Sequence, residues 1–200
     1  LDAIDIGEIR WQSFSVSFKP NEGETTETPW KLKGYDVWYR DPHEVLKAQL
    51  SNRDFANEMD FAPKMVIDRQ KRTRRYQDFM SGEWAWEQAD VLASNAENHG
   101  STFCPVILGS DKTTVSVAMG QNVYYPLYMS NGLIHNNVRQ AHRNGVALIA
   151  FLAIPKTDKE YEGSKEFRNF RRELFHGSLR HILESLRPGM LQPEILHLLQ

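Results

Sequence analysis

The chain has 200 residues, a formal net charge of −2, 40% hydrophobic and 25% charged residues, and one cysteine, Cys104. That composition supports a folded core, gives no whole-chain attraction to nucleic acid, and excludes an internal disulfide framework or a cysteine-rich zinc site. The longest apolar run, GVALIAFLAIP, is far shorter than the ~20 residues of a membrane span, and LDAIDIGEIR is acidic with no long apolar core, so neither a membrane nor a signal peptide is expected.

Residues 1–34 read as an extended acidic lead. Six acids stand against Arg10 and Lys19 between residues 2 and 27, although WQSFSVSF alternates well enough for a short docking strand. Residues 35–100 read as a mostly helical region. DPHEVLKAQL carries an Asp cap and Pro42 at the first helical position, a second short helix is expected around SNRDFANEMDF, and a third over Gly82–Ala93 with Ser81 as its cap. Trp84 and Trp86 diverge by about 200° on that helix, which puts Trp86 in the core. Between these helices lies a basic segment, in which six cations from Lys64 to Arg75 face one acid, Asp68. Its Arg69, Lys71, Arg72, Arg74 and Arg75 are candidates for phosphate contact, with Tyr76 as a stacking ring; a solvated loop or a nuclear-import signal is the rival reading.

Residues 101–200 predict three consecutive strands and then a long helix. The strands are FCPVILGSDKTTVSVAM, VYYPLYMS after a GQN turn, and VALIAFLAIP. Pro126 argues for an edge or a bulge in the second, while the third, apolar on both faces, reads as central. NGLIHNNVRQAHRN between them predicts a loop with one or two helical turns. There His135, Arg139 and His142 could share a face, but zinc lacks a third ligand, and Arg139 and Arg143 suit phosphate better. KTDKEYEG reads as a hydrated linker. The final helix is capped by Ser164 and carries the stripe Phe167, Phe170, Leu174, Ile182 and Leu186. Its cations Lys165, Arg168, Arg171, Arg172 and Arg180 read as ordinary helix surface, offset by Glu166, Glu173 and Glu184.

Asp111 is the anomaly. Strand period groups it with Ile107, Gly109, Thr113, Val115 and Val117, with Gly109 clearing space beside it. A carboxylate on a rigid strand could hold a divalent metal, whereas SDK could equally be a wide turn. A two-metal site would need a further acid, and Asp90, Asp158 and Glu173 have no position that recommends them.

The run PVILGSDKTTVSVAMGQNVYYPLYMSNGLIHNNVRQAHRNGVALIAFLAIPKTDKEY resembles the transposase-like proteins of the Plavaka group of fungal DNA transposons. The similarity extends through RRYQDFMSGEWAWEQAD upstream and FRNFRRELFHGSLRHILESLRPGM downstream, over roughly residues 35–190. The resemblance implies a ribonuclease-H-like domain that cuts and joins DNA by two-metal chemistry with Mg²⁺ or Mn²⁺. Asp111 would be the catalytic, metal-holding acid of its first core strand, with the other acids beyond Gln200. It implies DNA as partner and a nuclear or cytoplasmic setting. The expected fold is α/β, an incomplete ribonuclease-H-like domain preceded by a helical region. The expected chain is a fragment inactive by itself, lacking the C-terminal part of its domain and open to self-association through the sheet edge beside Asp111. A non-catalytic DNA- or protein-binding remnant and an unrelated soluble α/β domain are the alternatives.

Overall fold

The computed structural model describes residues 9–20, 28–116, 122–141 and 144–195. The alternation in WQSFSVSF makes β1 (Gln12–Ser17). It pairs antiparallel with β2 (Gly34–Tyr39), from Gln12 opposite Tyr39 to Ser17 opposite Gly34. Between them, α1 (Pro29–Leu32) drives Trp30 into the interior at 1% exposure. Its indole packs against Phe18, Phe167 and Phe170, and the Tyr35 hydroxyl donates to its carbonyl at 2.9 Å. The acidic lead is therefore weakly structured in composition only: where described, it supplies an edge strand and a core tryptophan.

The next stretch is less helical than expected, because it opens with β2. As predicted, α2 (Pro42–Leu50) follows, with Asp41 accepting from the His43 N–H at 2.9 Å and Val45, Leu46, Gln49 and Leu50 turned inward. The second expected helix is a single 3-10 turn, Arg53–Phe55. A two-residue hairpin, β3 (Val66–Ile67) with β4 (Arg74–Arg75), carries the basic segment. The predicted third helix, α3, spans Glu83–Ala93 with Gly82 as its cap. Ser81 does not cap it: its hydroxyl donates to the Asp78 carbonyl and accepts from the Gln77 N–H. Ala85, not Trp86, takes the buried position; both tryptophans keep substantial exposure, and Trp84 lies edge-on to Phe79 and Phe103.

Two of the three expected strands are interrupted. The first divides into β5 (Val106–Ser110) and β6 (Thr113–Ser116), and the second into β7 (Asn122–Tyr124) and β8 (Pro126–Asn131). β5 pairs with β8 and β6 with β7, in separate sheets. The cause lies opposite Asp111 and Lys112. Pro126 has no N–H for a ladder, and the Tyr125 carbonyl accepts instead from the Leu152 N–H at 2.8 Å. The hairpin bends there, leaving Asp111 and Lys112 outside any strand. Much of the GQN turn lies outside the described residues.

After α4 (Asn136–Gln140), β9 (Val146–Phe151) runs through the middle of the main sheet, whose order among the described residues is β1-β2-β9-β8-β5. Its Ala147, Leu148, Ile149 and Ala150 are buried in succession, as a strand covered on both faces requires. β8 is interior, so Pro126 is not at an edge; it heads its strand, and the register shifts between Leu127 and Tyr128, which is the bulge its presence suggested. The sheet takes strands from the lead, from the stretch after it and from the last hundred residues.

The linker contains one short helix, α5 (Lys159–Glu162). The chain then enters α6 (Lys165–Ile182), where Ser164 accepts from the Phe167 N–H at 3.1 Å. Phe167, Phe170 and Leu174 pack with Trp30 and Tyr35, whereas Ile182, with Leu179 and Leu186, joins the larger core of Val37, Met129 and Ile149. The helix thus lies against the N-terminal elements as well as the three expected strands. The architecture is mixed α/β, with a mainly antiparallel sheet and several helices.

Trp30→Ala should cost about 3–5 kcal/mol, the usual range for truncating a fully buried tryptophan. A lowered urea midpoint at unchanged slope measures it, and an unshifted midpoint would place the lead outside the core.

Candidate nucleic-acid interface

Asp111 is exposed at the bend just past β5. Among the described residues it belongs to no group of three carboxylate, histidine or cysteine side chains close enough to share an ion. Lys112, its neighbour, turns its ammonium over the Tyr125 ring, 5.3 Å from the centroid. Tyr125 stacks on Phe175 of α6 at 5.8 Å and 20°. Around this pair opens a cleft of about 270 Å³, lined by Lys112, Tyr125, Ala153, Pro155, Arg168, Arg171, Arg172 and Phe175. Arg168, Arg171, Arg172 and Phe175 are spaced i, i+3, i+4, i+7, which puts them on one helix face. That spacing was visible in the sequence; its convergence on Lys112 was not.

The basic hairpin is unevenly available. Asp68 accepts from the Gln70 and Lys71 N–H groups at 2.9 and 3.0 Å, which turns the loop, and Arg72 takes a left-handed φ of 50°. Those bonds hold the Asp68 carboxyl below its ordinary pKa. Arg69, Lys71, Arg72 and Arg75 are exposed. Arg74 is engaged: it donates to the Ser81 carbonyl at 3.0 Å, pairs with Glu83 at 3.4 Å and covers the Tyr76 ring.

Lys64, the remaining cation of that segment, belongs to a network that sequence reading missed, because its members are far apart in the chain. Its ammonium lies 2.5 Å from Asp60 and 3.0 Å from Asp78. His135 reaches Glu58 and Asp60, each at 3.1 Å, and the Asn136 N–H donates to Asp78 at 3.0 Å. Arg139, expected on a DNA-facing surface, is half-buried and donates to the Asn136 side chain. Burial lowers its pKa, with Asp78 acting in the opposite direction. Arg143 and His142 lie outside the described residues.

Asp60, Asp78 and His135 stand close enough to hold an ion, with donor atoms within 4.8 Å of one another. Lys64 already bridges the two carboxylates, however, and His135 is engaged by both Glu58 and Asp60. The group reads as a structural tie between the 58–64 loop, the approach to α3 and α4. Cys104 is a partly buried thiol donating to Asn131 at 3.1 Å, and the burial pushes its pKa up to about 12.

A family model described as Plavaka transposase matches residues 1–199. The chain belongs to that family. The match takes in the acidic lead as well as the 35–190 stretch that carried the resemblance, in keeping with the place of β1 and Trp30 in the fold. Comparison with curated proteins and with solved structures gives no match. Among the described residues of this Plavaka chain, no helix is long and apolar enough to cross a membrane.

Two outcomes are expected. Burial opposes charge on His135, yet its contacts with Asp60 and Glu58 outweigh burial and hold its pKa above the ordinary 6.5. A raised folded pKa gives stabilisation that is complete below the unfolded value and fades as pH rises through the folded one. Urea midpoints should therefore fall more steeply as pH rises above about 6.5 in the native chain than in His135→Asn; equal slopes would remove His135 from the balance. Separately, neutralising Arg69, Lys71, Arg72 and Arg75 should weaken binding to unrelated duplexes and flatten the log–log salt slope by about 0.9 for each phosphate no longer neutralised. An unchanged slope would take the hairpin out of the interface.

Proposed function

We propose that this chain is the part of a DNA-processing transposase that carries one carboxylate of its metal centre, Asp111. The family match over residues 1–199 carries the reading. Three further observations support it. Asp111 stands exposed at the end of a sheet strand, where a phosphodiester has access. Exposed Lys112 follows it in the chain and borders a cleft lined by the exposed Arg168, Arg171 and Arg172. The antiparallel succession β5-β8-β9 followed by α6 has the order of the opening half of a ribonuclease-H-like core.

Two-metal chemistry, with Mg²⁺ or Mn²⁺ activating water or a DNA 3′-hydroxyl and stabilising charge on the scissile phosphate, needs at least one more carboxylate than the described residues bring to Asp111. The residues present do not make that site by themselves. The outer edge of β5 has no strand partner among the described residues, and we propose it as the seat of the strands that carry the missing acids. A second copy of the chain could occupy the same edge. A DNA substrate would set this work in the nucleus. The isolation of Asp111 also favours a second reading, a module that binds DNA without cutting it.

The 200-residue chain should show no Mg²⁺- or Mn²⁺-dependent cleavage or joining of a labelled duplex bearing the element's ends. In an active longer parent, Asp111→Asn should abolish both steps while keeping DNA affinity within about threefold, since the missing interaction concerns metal placement. Cleavage by the folded short chain that vanishes with Asp111→Asn would mean that the other acids lie within these residues or come from a second copy. A fully active Asp111→Asn parent would end the catalytic reading.

A further inference from the structure

The cations of α6 lose much of their sequence-level neutralisation once the fold assigns two of the three nearby acids partners elsewhere. Glu166 pairs with Lys31 at 2.5 Å, and Glu184 pairs with Arg187 at 3.4 Å. Glu173 lies about 140° around the helix from Arg168. Among the described residues, no carboxylate stands within ion-pair distance of Arg168, Arg171, Arg172 or Lys112; Arg172 meets the Asn169 amide oxygen, at 3.4 Å, and Arg171 the Phe167 ring. Four like charges from two elements more than fifty residues apart converge on one cleft, and none of its lining residues is acidic.

The cleft wall strengthens that field. Tyr125, Phe175, Ala153 and Pro155 give it an apolar lining, next to which charge is less screened than in open water. Mutual repulsion of the cations is relieved by a bound polyanion. Arg168 to Arg172 rise about 6 Å along the helix, so their cations form a row and not a single point. Lys112 lines the same cleft from the bend, next to Asp111 in the chain.

We propose that this cleft holds the sugar-phosphate backbone of the DNA strand beside Asp111, with the strand running along α6 and Lys112, Arg168, Arg171 and Arg172 as its positioning residues. The proposal rests on the transposase reading and adds the surface along which the substrate enters. The cations supply the binding. Asp111 repels the incoming phosphate until a cation neutralises it, so strand capture is separable from metal placement.

The test is fluorescence anisotropy of the folded 200-residue chain with a labelled duplex in EDTA, across a salt series. K112Q/R168Q/R171Q/R172Q should bind at least tenfold more weakly, with a salt slope reduced by up to about 3.6. K165Q/R180Q, which removes two cations from the same helix outside the cleft, should stay within about twofold. Asp111→Asn should bind equally or a few-fold tighter without metal. Unchanged binding by the quadruple variant, or an equal loss in the control pair, overturns the proposal while leaving the role of Asp111 in metal placement to its own cleavage assay. If the quadruple variant does not fold, acetylation of the native chain decides: bound duplex should protect Lys112 and leave Lys165 reactive, and an unprotected Lys112 overturns it. Pyrophosphate is the third arm. If it binds the native chain and not the quadruple variant, while duplex affinity is the same for both, the cleft is a small-polyphosphate site and the strand proposal falls.

Discussion

A single hydrogen bond, from the Leu152 N–H to the Tyr125 carbonyl, sets the geometry around Asp111 and Lys112. It forms where Pro126 has no N–H to give, so the long hairpin cannot continue its ladder through that point. One half of the hairpin stays in the main sheet and the other half forms its own. The bend is fastened on both sides: the Ser110 hydroxyl donates to the Pro126 carbonyl at 2.8 Å, and the Lys112 ammonium rests over Tyr125. Asp111 is exposed because the backbone opposite it is already committed elsewhere.

The anchor for that commitment is β9. Its buried run fixes the centre of the sheet, and side chains from its neighbours bond the backbone at its entrance: Ser130 donates to the Gly145 carbonyl at 2.5 Å and Gln49 to the Asn144 carbonyl at 2.8 Å. On one side β9 meets the hairpin, and on the other it meets β2, which brings Trp30 and Tyr35 under α6. The lead is thereby coupled to the cleft. Trp30 seats Phe167 and Phe170, and those two residues fix the rotation of the helix face that presents Arg168, Arg171 and Arg172.

What the sequence disclosed follows from how local each signal is. Asp41 with Pro42, and Ser164 before Phe167, are contacts within one turn, and both helices begin where those residues indicate. The apolar run of β9 needs no partner to be read. Asp111 was misplaced because period-two alternation describes one strand alone, while the interruption is caused by a proline on its neighbour. Trp30 was hidden in an acid-rich stretch whose composition offered little to bury, although one α1 residue, held by partners more than 130 positions away, was enough. The Lys64 network joins residues 58–78 to 135–139, a closure that no spacing rule encodes.

The same limit governs charge. A count along α6 sets acids against bases and returns an ordinary surface, since in sequence any glutamate can offset any arginine nearby. Electrostatic compensation requires distance, and the fold spends Glu166 on Lys31 and Glu184 on Arg187. What remains is a face with one sign of charge, even though the chain carries a net −2. A negative total and a phosphate-attracting cleft are compatible because salt screens charges farther apart than roughly 8–10 Å, so a strand entering the cleft responds to its four cations far more than to the acidic residues elsewhere. Nucleic-acid affinity in such a chain is a property of which pairs the fold completes and which it leaves open.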